Sequence, residues 1–308
     1  MAAEGAVVVG GEALVDLVVE ESGALRAHSG GGPFNTARTL GRLEQPAMFL
    51  GRMSRDRFGV RMREELAEDG VSLDAVVDTD DPTTLALAEL DAAGAARYRF
   101  YSEGTSVPGL TVEDALAALP ADVAVLHVGT LGLMLEPVGG ALAAAAERVA
   151  DRALIMVDPN IRPVLIPDRA RYMSRLAGTL RHTHVIKVSE DDLEWLDPDA
   201  GVAAAARGLL AGGPHVALVT MGGEGALLVS AEEETLVPAP RVQVVDTIGA
   251  GDAFSGGFLA YWRMRGLGPE ALADRSAVAA AAGFACRVAA LTCARAGASP
   301  PRLSELET

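Results

Sequence analysis

The chain has 308 residues, half of them hydrophobic, with a formal charge of −16 and two cysteines. That length and apolar content exclude a disordered chain and allow one large core, alone or with a small appendage. So acidic a surface repels phosphate backbones and anionic lipid, which argues against nucleic acid and membrane as partners.

In chain order, the apolar run 6–9 followed by Gly10-Gly11 predicts a buried strand and its turn. Residues 12–19 are strand-like again but enclose Glu12 and Asp16, and a carboxylate in an apolar run needs a partner, a ligand or a wet edge. Ser29-Gly30-Gly31-Gly32-Pro33-Phe34-Asn35 reads as a glycine loop opening into a helix that ends near Leu43, with Pro33 in the first turn. A strand is expected at 46–50 and a helix at 57–69, closed by Gly70. The runs 83–90 and 97–101, joined by Asp91-Ala92-Ala93-Gly94, form a hairpin signal that can combine with 12–20 into a small separate sheet. From Val112 onward helices (112–118, 137–150, 168–181, 201–211, 250–264, 270–291) alternate with continuous apolar strands (123–128, 153–157, 184–187, 215–220). That alternation predicts a layered α/β fold with a buried parallel sheet. Segments 226–229 and 235–237 read as antiparallel additions at one edge, and 242–245 as a last strand.

Ligands of open parallel sheets collect at the strands' carboxyl ends. Here each strand ends in polar or glycine-rich sequence: Glu12 and Asp16; Asp158-Pro159-Asn160-Ile161-Arg162; Lys187-Val188-Ser189-Glu190-Asp191-Asp192; Thr220-Met221-Gly222-Gly223-Glu224-Gly225; and Asp246-Thr247-Ile248-Gly249-Ala250-Gly251-Asp252. In the last, two glycines bracket an alanine where a helix begins, so free N–H groups and the positive helix end face one point. That is an anion site, typically for phosphate. Asp252 beside it makes sense as a base that takes a proton from a hydroxyl, and the helix end should favour its ionised form. No lysine follows a suitable glycine, since Lys187 is the only one, so a Gly-Lys-Ser/Thr phosphate loop is excluded. Val9-Gly10-Gly11-Glu12-Ala13 lacks the Gly-x-Gly-x-x-Gly spacing of a dinucleotide fold. No Cys/His cluster has metal spacing. Cys286 and Cys293, seven apart in one predicted helix, are out of disulfide range and read as core residues. No run reaches the roughly 20 apolar residues of a membrane helix, and 1–5 lacks the basic flank of a signal peptide, so a cytoplasmic location is expected.

Ser29 to Ala37 resembles the N-terminal Gly-Gly motif of the PfkB, or ribokinase-like, carbohydrate kinases, and 246–252 resembles their Asp-Thr-x-Gly-Ala-Gly-Asp motif, about 215 residues further on. The resemblance spans the whole chain. It implies a large ribokinase-like α/β domain (1–11, 31–82 and 106–308) with a small β-sheet lid (12–30 and 83–105), and ATP-dependent phosphorylation of a sugar hydroxyl. Asp252 would be the base, with the amides of Gly249, Ala250 and Gly251 as the anion hole. Asp16, Gly31, Gly32 and Asn35 would contact the sugar, with Tyr101 on the lid and Arg162 in reach. Lys187, Thr220, Gly222, Gly225 and Thr247 would lie along the ATP, and Ala282 and Cys286 near adenine. Asp192 stands where relatives keep a Mg²⁺-linked glutamate, while Ser189 replaces their asparagine; a helix cap explains the same pair. Asp246, Ile248, Thr292, Arg295 and Gly297 match the place where some relatives hold a monovalent cation such as K⁺. The Asp158-to-Pro163 stretch resembles the fructokinase and 2-keto-3-deoxygluconate kinase branch, and the missing lid arginine leans toward a neutral ketose. A nucleoside kinase and a non-catalytic sugar- or nucleotide-binding regulator remain as alternatives. The open edges of such a lid suit a homodimer.

Overall fold

The computed structural model describes residues 5–19, 23–90 and 96–306. The first half of the chain contains β1 (Ala6–Gly10), β2 (Leu14–Val19), β3 (Leu25–Gly30), α1 (Gly32–Arg42), β4 (Ala47–Ser54), α2 (Arg57–Glu68), β5 (Val76–Thr79), β6 (Leu85–Leu90), β7 (Ala96–Tyr101), α3 (Val112–Ala118) and β8 (Val123–Gly129). There follow α4 (Leu131–Met134), α5 (Val138–Val149), β9 (Leu154–Asp158), α6 (Arg169–Leu180), β10 (Val185–Ser189), α7 (Glu190–Leu196), α8 (Val202–Leu210), β11 (Val216–Thr220), β12 (Ala226–Val229), β13 (Glu234–Val237), α9 (Ala250–Met264) and α10 (Arg275–Cys293). The turn 91–95 of the expected hairpin lies outside the described residues.

Nine strands form one sheet in the order β13-β12-β11-β10-β9-β8-β1-β4-β5. The seven from β11 to β5 are parallel, and β12 and β13 add antiparallel at one edge. The expected α/β fold with a mostly parallel sheet is therefore observed. Both faces are covered. Val7, Val9, Val125, Met156 and Val185 point to α1, α2, α9 and α10, while the alternate residues Val8, Leu126, Ile155 and Ile186 point to α5, α6 and α8. This two-sided burial is why the strands read as unbroken apolar runs. Strand β1 lies between β4 and β8, so the chain order reverses there, and a crevice opens at the carboxyl ends on either side of it.

A second sheet has the order β3-β2-β6-β7. On one face of it Leu14 and Ala86 pack with Val107 and Leu131 of the neighbouring segments. Two of its strands were legible as a hairpin; β3, with its His, Ser and Arg, carries no apolar alternation to announce it.

Two expectations need correction. Residues 242–245 are not a strand: Val244 and Val245 are 60% and 61% exposed, and Val245 N–H donates to the Cys293 carbonyl rather than to a sheet neighbour. Helix α10 begins at Arg275, where the Asp274 carboxylate caps Ser276 and Ala277, after a short 3-10 turn at Pro269–Ala273. At 19 residues α10 is long and apolar enough to cross a membrane by length and composition. In this fold Val278, Ala281, Ala282, Ala285 and Val288 bury it in the core.

Candidate active site

The start of α9 is a bare main-chain turn. Gly249 has φ of 75°, the left-handed region that glycine adopts without strain, and a Cβ there would meet Ala298 at 2.6 Å. Among the described residues the N–H groups of Gly251 and Asp252 meet no acceptor in the chain, whereas Ala250 N–H donates to the Thr247 carbonyl at 3.2 Å. Of the expected set, Gly249 and Gly251 therefore keep free N–H groups, Ala250 does not, and Asp252 adds one. A Cβ on Gly251 would lie 2.9 Å from Lys187 Nζ, so the ammonium sits directly against the turn.

The polar groups beneath come from alternation in the strands. Asp158 continues the face of Leu154 and Met156, and Lys187 continues that of Val185, so both emerge under α9 at the carboxyl ends. Lys187 Nζ donates to Asp158 Oδ2 at 2.9 Å, with both side chains 4% exposed. Burial disfavours an ammonium, yet the carboxylates of Asp158, Asp192 and Asp252 hold Lys187 above its ordinary pKa. Asp158 Oδ1 is buried with no partner among the described residues.

Asp252 lies at the mouth, 9% exposed, and Asn35 Nδ2 donates to its Oδ2 at 2.9 Å. Its pKa is pushed up to about 6 by burial, with the Asp158 charge adding; the Asn35 hydrogen bond, Lys187 and Arg162 pull the other way. The helix end was expected to favour the anion, but desolvation outweighs it. At neutral pH the carboxylate still dominates, now as a base far stronger than an exposed aspartate.

A cavity of about 340 Å³ opens in front of Asp252, under the second sheet. Of the residues expected at a sugar, Asp16, Gly31, Gly32, Asn35 and Arg162 all line it. Asp16 is pushed up to about 6 by burial, opposed by Arg162. Arg162 Nη1 donates to the carbonyls of Asn160 and Ile161 and to Asn160 Oδ1. Tyr101 does not line the cavity. It is 49% exposed, and strand alternation turns Tyr98 and Phe100 inward instead, their rings 6.3 Å apart. Thr130 also lines the cavity and was missed, as do Glu12 and Asn160, which stood among the polar strand ends without an assigned contact. Glu12 stood in plain view as a charge after an apolar strand, but nothing in the sequence shows that it turns inward.

A second cavity, about 250 Å³, lies on the other side of the turn, and the two share Thr247 and Gly251 as lining. Of the residues expected along the ATP, Thr220, Gly222, Gly225, Thr247 and Cys286 line it, with Ala250 beside them and Cys293 one heptad on, while Lys187 lines the first cavity instead. Ala282 lines neither; one turn before Cys286, it is fully buried in the core. Cys286 is pushed up to about 11 by burial, an inert thiol.

Asp192 spends its oxygens on the chain. Oδ1 accepts Ile161 N–H at 2.7 Å, and Oδ2 accepts Ser189 N–H at 2.9 Å and Ser189 Oγ–H at 2.8 Å. Ser189 caps α7 in return, so the cap explains this pair and Asp192 holds the 160–162 loop in place. The segments 246–248 and 292–297 do come together: Asp246 accepts N–H bonds from Ile248 and Gly297, and its own N–H donates to Cys293. There each oxygen of the Asp246 carboxylate accepts one N–H bond, the Thr292 hydroxyl donates to the Val288 carbonyl, and Arg295 pairs with Glu305.

The model of the pfkB family carbohydrate kinases matches residues 6–305. A fructokinase from Rhizobium leguminosarum bv. trifolii is 35% identical over 261 residues, covering 83% of this chain and 79% of that protein. A fructokinase from Xylella fastidiosa, solved with bound ATP, superposes with a TM-score of 0.89 at 28% identity over 98% of this chain and 97% of that one. The aminoimidazole riboside kinase of Salmonella enterica, solved with its riboside and an ATP analogue, gives 0.83 at 26% identity, over 95% of each chain.

Proposed function

The chain belongs to the pfkB family of carbohydrate kinases, an ATP-dependent sugar phosphotransferase, and from that premise we propose that it phosphorylates a hydroxyl of a neutral ketose of the fructose type. The observation that carries the assignment of roles is the placing of Asp252: it lines the first cavity next to Gly251, which the second cavity shares, with unpartnered N–H groups beside it.

In this reading the sugar lies in the cavity of Asp16, Gly31, Gly32 and Asn35, and the second sheet acts as its lid. Asp252 takes the hydroxyl proton, and the oxygen attacks the terminal phosphorus of ATP in the neighbouring cavity. The Gly251 and Asp252 amides and the Lys187 ammonium face the charge that builds on the phosphoryl oxygens. Asn35 aims the carboxylate, and the buried surroundings keep its basicity high. A lid that excludes water limits transfer to solvent.

A neutral acceptor is favoured by charge. Asp16 faces the cavity, where it accepts hydroxyl protons and repels a substrate carboxylate, while one arm of Arg162 is already engaged by Asn160 and Ile161. The fructokinase relatives point the same way. Among the described residues no three His, Cys, Asp or Glu side chains group to hold an ion. Mg²⁺ needs only one or two carboxylates beside the phosphates and water; Asp158, buried below the cavities against Lys187 with its Oδ1 unpartnered, would be one such ligand. When bound, the ion neutralises phosphate charge. A monovalent cation at the 246–248 and 292–297 junction, held by main-chain oxygens, belongs to the same reading, as does pairing of two copies through the lid.

An ADP-release assay with Mg²⁺ and K⁺ across fructose, ribose, adenosine and 2-keto-3-deoxygluconate tests this. Turnover is expected with fructose first. Preference for adenosine or the keto acid overturns the choice of acceptor; no turnover with any of them overturns the assigned chemistry.

A further inference from the structure

One carboxyl in the cavity has no part in the transfer described above. Glu12 follows β1, is fully buried, and lines the sugar cavity. Its Oε1 accepts Gly32 N–H at 3.0 Å and its Oε2 accepts Gly132 N–H at 3.4 Å. No cation pairs with it among the described residues. A buried carboxyl so placed costs stability, and its pKa is pushed up to about 8, first by burial. A role in packing alone does not account for it.

The two amides belong to different parts of the cavity. Gly32 opens α1, and one turn later Asn35 donates to Asp252. Gly132 follows Thr130 and Leu131, both of which line the cavity, and Thr130 holds an unusual positive φ of 50°. These segments follow β3 and β8, and Glu12 reaches both from the end of β1, at the point where the strand order reverses. The backbones are close enough that a Cβ on Gly31 would lie 2.7 Å from the Glu12 carbonyl oxygen.

We infer that Glu12 is a positioning residue: its two oxygens tie the start of α1 to the Thr130–Gly132 turn, which fixes the floor of the sugar cavity and, through Asn35, the aim of Asp252. The inference rests on the sugar-kinase reading. The task needs one planar group that turns an oxygen lone pair to each amide at this reach, which the carboxyl does in its ionised form and, through its C=O and its O–H oxygen, in its protonated form. Glutamine keeps one such oxygen and sets an NH₂ against an N–H, aspartate is a methylene too short, and alanine leaves both amides unpaired.

The test compares E12Q, E12D and E12A with wild type, at a temperature well below each melting point, with fructose and ATP varied separately. E12Q and E12D should raise the sugar KM about tenfold, and E12A should lower kcat/KM for the sugar about 10²-fold, the scale for misplaced reacting groups. The ATP KM should stay within about twofold throughout, because the nucleotide cavity does not touch Glu12. A lowered melting point with an unchanged sugar KM, or sugar and ATP constants rising in step, overturns the inference. If E12A does not fold, E12Q and E12D decide it alone. A wild type inactive on every sugar is a different failure: it sinks the kinase chemistry and this inference with it.

Discussion

The two cavities that meet at Thr247 and Gly251 are built on opposite principles. The one under the second sheet is ringed by Glu12, Asp16, Asn35, Arg162, Lys187 and Asp252. The other is walled by Ala239, Val242, Val244, Phe254, Ala289 and Ala290. A site made of buried hydrogen-bonding groups rejects an analogue that lacks one hydroxyl steeply, by up to about 10⁴-fold, whereas an apolar pocket separates close analogues by only about 10–200-fold. Selectivity should therefore be sharp for the acceptor and shallow for the nucleotide base. In the proposed reading the chemistry falls at the seam, where a helix end meets a buried carboxylate.

The largest effect should come from the seam itself. Asp252→Asn keeps the shape and the Asn35 contact site but removes the base. Its kcat should fall by about 10²–10⁴-fold, with ATP affinity held within about twofold. Equal turnover in the variant would remove Asp252 from its role. The pH profile refines this. With the Asp252 pKa raised to about 6, kcat/KM should fall as pH drops through 6, because the protonated acid cannot accept a proton. Asn35 bonds to the charged form and so lowers that pKa; Asn35→Ala should move the acid limb to higher pH. A limb that stays put, or moves down, breaks the proposed coupling.

An intermediate effect belongs to the apolar cavity alone. Ala290→Leu pushes three extra carbons into a space of about 250 Å³, and overfilling a packed site costs about 1–3 kcal/mol. The ATP KM should rise about tenfold while the sugar KM stays unchanged. A rise in the sugar constant instead would show that the two cavities are not independently built.

What could be read from the chain follows the same division. The parallel strands were legible because burial on both faces makes them continuous apolar runs, and the α9 turn was legible because Gly-Ala-Gly-Asp has few other uses. The alternating β6–β7 pair was legible too, but β3, paired to β2 on the other side, was not, since Leu-Arg-Ala-His-Ser-Gly owes its strand to tertiary pairing. Residues 242–245 failed in the opposite sense: three valines around Gln243 mark a strand only if a free edge awaits them, and here Val242 and Val244 wall a cavity. Glu12 and the Asp192 clamp were hidden because their partners, Gly132 and Ile161, lie 120 and 31 residues away along the chain. The sign of the Asp252 shift was hidden as well, since a helix end is visible in sequence and the depth of burial is not.

The smallest effect tests the lid side of the sugar cavity. In β7 successive side chains alternate, and Tyr98 and Phe100 face the cavity while Tyr101 turns away, 49% exposed. An aromatic ring set over a sugar contributes through its apolar C–H face, and truncating one such contact typically costs on the order of 1 kcal/mol. Tyr98→Ala should therefore raise the fructose KM about fivefold at unchanged ATP KM. Tyr101→Ala, one strand position past Phe100 and on the other face, should stay within about twofold for both substrates. Because the two substitutions are chemically identical and differ only in which way the strand presents them, a larger loss from Tyr101 than from Tyr98 would mean that the lid sits on the cavity with the other face of β7 inward.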